Sequence, residues 1–436
     1  MHLSLTVALV PPAARPPSHV CSGAAYDYCI QSLGCTAAEA SKVERRLVAD
    51  AAKYMTYAKA EERCVRLQST LDLSNSELKK VVMRSPALLG SNSMAPKLNW
   101  LQSRLDLDVG QLKKIVLALP SLLSYSVEDN LAPKLEWLRT RLELDDAQLR
   151  KIVMTLPALL GYSVEDNLAP TLDWLQTRLD LDDAQLKKMV LPIPSVLGCS
   201  IEDTLAPRLD WLQGRLELDG EQLRKMVVTN PSLLYLNIED NLEPKLQWLQ
   251  TRFHLDDAGL RMMALRLPSV LGYSVEDKMA PTLDWLQLRL DLDVGQLRRI
   301  LLGPAVLGLS VEDNMAPKLD WLQTRLDLDD LGLRKMVLAF PALLTYSVED
   351  NMQPKLGFFA EELGLSASEV RASIVSTPSR LGLSLKTRYR PRLEVCRAVG
   401  ADVSIVLNLG GNRTDAAFCK RVGVPLEALR AAQEDV

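Results

Sequence analysis

Apolar and polar positions along this chain follow a helical period set inside a much longer one. Leu149, Ile152, Val153 and Leu156 fall at i, i+3, i+4 and i+7, the single apolar stripe of an amphipathic helix. Asp145 precedes this stripe, and Gln148 stands at capping-box spacing from it, so a helix begins there. Pro157 ends it, because proline has no N–H and disfavours a helical conformation in the residue before it. The PALLGY that follows predicts a short apolar connector, one tight helical turn. Ser163 and Asp166 repeat the capping spacing, so a second helix starts near Val164. Pro170 lies too deep beyond that cap for a first-turn proline. It admits either a kinked helix or a short turn through Leu168 followed by a fresh helix with Pro170 at its first position. Leu172, Leu175 and Leu179 continue the stripe that Leu168 begins.

The unit of helix, connector and helix recurs about every 37 residues, the signature of a stacked array in which each unit covers its neighbour's apolar face. Two proline columns hold the register, one from Pro86 through Pro120 and Pro157 to Pro378, the other from Pro96 through Pro133 and Pro170 to Pro391. The block holding Pro304 is one residue short. Residues 36–70 read as a degenerate helical cap, with helix from Thr36 to Gln68, 71–385 as the array, and 386–436 as a closing repeat and tail. Residues 1–35 read as a leader or disordered segment. The first 26 contain no acid and are rich in Ala, Pro and Ser, a composition shared with organelle transit peptides; the run Leu3 to Val10 reads equally as the apolar part of a signal peptide.

Composition adds Leu- and Ala-rich helix formers, with only five Phe in 436 residues. The net charge is −4, unevenly distributed. Residues 71–370 hold 32 basic and 43 acidic side chains, whereas Arg371 to Arg421 hold ten Lys and Arg against three Asp and Glu. Seven cysteines, at 21, 29, 35, 64, 199, 396 and 419, form neither a disulfide framework nor a zinc pattern and read as reduced, mostly buried thiols. No apolar run reaches the roughly 20 residues that span a bilayer.

Three charged columns run down the array. Arg104, Arg141, Arg178, Arg215, Arg252, Arg289 and Arg325 each lie four residues after a tryptophan on the second helix, from Trp100 to Trp321; the last block has Phe358 and Glu362 instead. This ladder reads either as a row of cations following a polyanion, or as arginines that stack on their tryptophans and pair with acids such as Asp182. The first helices carry basic pairs, among them Lys113 with Lys114 and Arg150 with Lys151, interrupted where Met262 follows Arg261. Acidic pairs such as Glu128 with Asp129 and Glu165 with Asp166 open the second helices, where they suit the positive end of the dipole. Solvated faces of alternating charge account for both.

A helix ending in P-x-L-L, a Ser-led connector and a second helix carrying P-K-L-x-W-L resemble the mitochondrial transcription termination factor (mTERF) family over roughly Leu71 to Val422. The segment SLKTRYRPRLEV, Ser384 to Val395, with Asp415, Phe418, Lys420 and Arg421, resembles that family's closing repeat. Tetratricopeptide and pentatricopeptide arrays have shorter periods and lack two prolines per unit; HEAT-type repeats overlap in period. The resemblance implies an all-α, right-handed superhelical solenoid of about nine repeats. It also implies a basic groove that binds duplex DNA or structured RNA, and a role in mitochondrial or plastid gene expression, including transcription termination. Lys386, Arg388, Arg390 and Arg392 match the basic closing motif and are, with the ladder, the expected nucleic-acid contacts.

The chain has no phosphate-binding G-x-x-x-x-G-K, no G-x-S-x-G and no H-E-x-x-H. His2, His19 and His254 are its histidines, and Asn408 to Asn412 reads as an ordinary loop. The expectation is a monomeric, non-enzymatic binding protein without cofactor or metal. The alternative is an acidic repeat scaffold for a basic protein partner.

Overall fold

The computed structural model describes residues 23–47, 55–90, 94–303, 306–408 and 414–434. The leader with His2, His19 and Cys21, the residue Pro304 and most of the Asn408 to Asn412 loop lie outside them. Every regular element among the described residues is helical. The chain divides into two compact units, Met1–Leu205 and Ala206–Val436, and within each the repeats build an all-α solenoid.

The repeat that opens at Asp145 shows the construction. The Asp145 carboxylate accepts from the Gln148 N–H at 2.8 Å, and the Gln148 side chain accepts from the Asp145 N–H at 3.2 Å, so helix Asp146–Thr155 starts where its cap places it. Leu149, Ile152 and Val153 are fully buried. Leu156 is half-buried and leaves the helix at φ −129, ψ 74, as the residue before a proline must. Pro157–Gly161 forms one 3₁₀ turn over the buried Leu159 and Leu160, the tight connector expected.

Pro170 produces a feature closest to the second of the two alternatives. The Ser163 carbonyl accepts from the Leu168 N–H at 3.1 Å, a bond spanning five residues. This π turn, Val164–Leu168, runs straight into α-helix Ala169–Leu179 with Pro170 in its first turn. In an uninterrupted α-helix the proline ring would press on the carbonyl four residues back and deprive it of a donor. One wide turn shifts the register and makes Pro170 an N-terminal proline. The same bond joins Ser126 to Leu131 in the first unit and, in the second, Asn237 to Leu242, Ser274 to Met279, Ser310 to Met315, Ser347 to Met352 and Ser384 to Tyr389. Leu168, Leu172, Leu175 and Leu179 are buried together.

Most second helices end on a non-glycine residue in the left-handed region: Asp72, Asp106, Glu143, Asp180, Glu217, His254, Asp291 and Asp327, at φ 46 to 50. That conformation costs an L-residue roughly 1 kcal/mol. Its repetition means that something holds it. The first cation of the basic pair after next along the chain does so for most of them: Lys113 donates to the Asp72 carbonyl at 2.7 Å, Arg150 to the Asp106 carbonyl and carboxylate, both at 2.7 Å, Lys187 to the Glu143 carbonyl at 2.6 Å, and Arg261 to Glu217 Oε2 at 2.9 Å. Each serves a helix C-terminus, where carbonyls lack donors and positive charge is favoured.

A second contact was not foreseen from the sequence. The lysine of P-K-L is buried and crosses to the next connector. Lys97 donates to the Leu123 carbonyl at 2.7 Å, Lys134 to Leu160 at 2.6 Å, Lys245 to Leu271 at 2.6 Å and Lys318 to Leu344 at 2.5 Å; Lys355 bonds Leu381 in the same way, and Arg208 reaches Leu234 at 2.7 Å. Asn130, Asn241, Asn314 and Asn351 supply a further acceptor to Lys134, Lys245, Lys318 and Lys355.

The stretch read as one helix from Thr36 to Gln68 contains two described helices, Ala37–Arg46 and Tyr57–Leu71. The latter ends on left-handed Asp72 like the second helices of the array. A further helix, Ala24–Gln31, packs on both and buries Ala25, Tyr28 and Cys29, so folded chain reaches into the 1–35 segment assigned to a leader. Among the described cysteines all but the half-buried Cys199 are buried; burial pushes the Cys29 thiol up to about 12 and Cys64 to about 11.

Burial lowers the Lys355 ammonium from 10.5 to about 8. Because the folded value lies below the unfolded one, the unfolded chain binds the extra proton between the two. The unfavourable contribution is therefore complete below pH 8 and fades as the pH rises to 10.5. Urea unfolding of wild type and Lys355→Met across this range should show their stability difference moving in favour of wild type as pH rises. A pH-independent difference would contradict the burial.

Candidate nucleic-acid interface

The second helix of each repeat ends within reach of the next repeat, and that reach decides what the arginine ladder does. Arg141 donates to Asp173 at 3.0 Å, Gln176 at 2.6 Å and Asp183 at 3.4 Å. Arg104 pairs with Asp146 at 3.1 Å, Arg215 with Glu243 at 3.0 Å, Arg252 with Asp284 at 2.9 Å and Arg289 with Asp320 at 3.0 Å. The acids are those of the repeats that follow, as one of the two readings held. They are not Asp182, whose carboxylate caps its own helix. The guanidiniums are about three-quarters buried, Arg141 at 22% exposed, and their charge is matched locally. Arg178 is likewise engaged.

Arg325 is the exception. Its repeat is followed by Gly357, Ala360 and Ala367 where the others present Asp173, Gln176 and Asp183. All three acceptors are gone, and Arg325 is exposed with no side-chain partner among the described residues. Phe358, in the tryptophan column, is buried against Phe359 and Tyr389.

The four basic residues of the closing motif separate in the same way. Arg392 is 2% exposed, pairs with Asp415 at 2.6 Å and lies 4.9 Å from the centre of the Phe418 ring. It is buried in the fold and offers nothing to a phosphate. The reason is legible in register: Arg392 follows Pro391 as Lys134 follows Pro133, so it occupies the buried-cation column, and Asp415 takes the place of the connector carbonyl. Arg388 is half-buried, and burial lowers its affinity for a proton. Lys386 and Arg390 are exposed, Arg390 standing 3.7 Å from Glu362. Lys420 and Arg421, on helix Asp415–Val422, are exposed as well.

The residues that sequence reasoning passed over are the second members of the basic pairs. Lys80, Lys114, Lys151 and Lys188 in the first unit, and Lys225, Arg299 and Lys335 in the second, are exposed and hold no side-chain partner among the described residues. One signal did separate the two columns: where the pair is broken, Arg261 survives and Met262 replaces its neighbour. The first position is needed for stacking and the second is not. Where left-handed His254 replaces the acid, Arg298 is exposed and unpaired too.

The mTERF family model matches residues 43–212 and 98–413. The chain belongs to the mTERF family. No curated protein matches it. Among the described residues no cluster of His, Cys, Asp and Glu is placed to hold a metal ion, and no helix is long and apolar enough to cross a membrane. What the geometry offers is a set of exposed, unpaired cations repeated with the mTERF repeat, beside exposed acidic pairs at Glu128, Glu165, Glu239 and their equivalents.

Arg141→Ala removes the donor shared by three acceptors of the next repeat and should lower stability by about 1 kcal/mol in urea unfolding. Arg325→Ala should change stability by no more than about 0.3 kcal/mol. Equal destabilisation by the two would show that the ladder contributes nothing between repeats.

Proposed function

We propose that this mTERF protein is a non-enzymatic, nucleic-acid-binding regulator of gene expression in a mitochondrion or plastid, binding duplex DNA and acting on transcription, including its termination. The observation that carries the reading, together with the family, is the column of unpaired cations on the first helices. A paired arginine gives up an acid to take a phosphate; an exposed unpaired lysine gives up only its counterion, and the release of counterions from the nucleic acid drives binding. Lys114, Lys151 and Lys188 are therefore the phosphate contacts of the first unit. Lys225, Arg299, Arg325 and Lys335 serve the second, with Lys386, Lys420 and Arg421 at its basic end. The regular spacing and near-identity of these positions suit contacts to a uniform backbone, which position a protein without reading sequence.

A second reading rests on the exposed acidic pairs, which would suit a basic protein partner. Both are tested by one titration. Fluorescence anisotropy with duplex DNA and duplex RNA at several salt concentrations should give an affinity that falls steeply with salt. Replacing Lys114, Lys151 and Lys188 together with Ala should reduce the slope by about 0.9 for each DNA phosphate that the variant leaves unneutralised. No binding to either duplex at about 50 mM salt would leave the acidic scaffold as the reading.

A further inference from the structure

The buried cation of P-K-L is replaced by threonine in two repeats. Where Thr282 stands in its place, Lys278, four residues earlier, crosses instead and donates at 2.6 Å to the Leu309 carbonyl, two residues past the connector leucine Leu307. Where Thr171 stands, nothing does: no lysine or arginine donates to the Leu197 carbonyl among the described residues. A cleft of about 420 Å³ occupies the spot, lined by Tyr162, Asn167, Thr171, Leu197, Gly198 and Glu202 among others. Thr171 is 4% exposed, a short side chain where the sister repeats place a long buried cation.

The walls of this cleft match what holds an ammonium elsewhere in the chain. In the sister repeats the ammonium meets the connector leucine carbonyl, an asparagine side chain in the case of Lys134, Lys245 and Lys318, and the field of the first acid of the next acidic pair: Glu128 for Lys97, Glu165 for Lys134, Glu276 for Lys245 and Glu349 for Lys318. Here the corresponding groups are Leu197, Asn167 and Glu202. The Asn167 oxygen accepts from the Ser163 N–H at 3.1 Å and keeps a second lone pair. The groove beside Lys318, by contrast, does not include its connector residues; the lysine fills that end.

We propose that the cleft at Thr171 binds a primary ammonium group, seated where the lysine ammonium sits in the sister repeats. Its N–H donors meet a carbonyl and an amide oxygen in the field of the Glu202 carboxylate, hydrogen bonds that a quaternary ammonium of the same charge cannot make. The group is carried either by a free alkylamine or by a lysine side chain of another protein. This site is independent of the nucleic-acid reading.

Thermal unfolding of the full chain tests it, with n-butylammonium chloride compared against tetramethylammonium chloride at equal ionic strength. Wild type should melt roughly 2–4 °C higher in saturating n-butylammonium. Thr171→Lys, which supplies the missing ammonium, should melt higher without amine and no longer respond to it. Thr171→Val, which adds no cation, should keep the response, and Glu202→Gln, at an exposed position, should weaken it. A response to Nα-acetyl-lysine amide as large as that to n-butylammonium assigns a protein lysine as the source; a response to n-butylammonium alone assigns a free amine. Equal melting of wild type in the two salts, or an undiminished response in both Thr171→Lys and Glu202→Gln, overturns the proposal.

Discussion

Each repeat of this chain leaves helix ends and a connector with carbonyls that have no donor of their own, and a cation from an adjacent repeat supplies it. That requirement organises the rest. It holds the left-handed residue at the end of most second helices, it draws the P-K-L lysine into the core, and it fixes which charges are internal. Leucine burial gives the array its cohesion, but burial is non-directional. The hydrogen bonds of Lys113 to Asp72, Arg150 to Asp106 and Lys134 to Leu160 are directional and set one repeat upon the next in register. Proline enforces a second constraint, which the column of Pro170 meets with a π turn ahead of the helix.

The same requirement explains why net acidity is a poor guide to what the surface can bind. Acids such as Asp173 and Asp106 are engaged by arginines of adjacent repeats, so much of the charge in the array is neutralised within it. What reaches solvent is the remainder: unpaired cations on most first helices and an acidic pair at the start of most second helices. Departures from the consensus then act locally and predictably. Gly357, Ala360 and Ala367 in place of the three acceptors free Arg325, and His254 in place of an acid frees Arg298.

Helices, caps, connector and buried leucine stripe were legible in the sequence because periodicity and capping are local. The π turn was not, although the proline that forces it was plain, since two backbone solutions satisfy the same local rule. Of the candidate contacts, Arg392 could have been placed correctly by aligning Pro391 with Pro133 and reading the next position down the column. The ladder could not, because whether Arg141 or Arg325 is paired depends on residues of another repeat brought close only by stacking. The distinction between Lys113 and Lys114 likewise lies in which one faces the preceding helix end.

The claim on which the account rests is that stacking cations and binding cations are different residues. Lysine-selective acetylation of the native protein, read residue by residue with and without saturating duplex DNA, tests it most directly. The account predicts that Lys114, Lys151, Lys188, Lys225 and Lys335 react readily when the protein is free and become protected by DNA. Lys113, Lys187, Lys134 and Lys318 should react slowly in both states. Unchanged reactivity of Lys114, Lys151 and Lys188 on saturation with DNA, or protection confined to the partnered lysines, would contradict it.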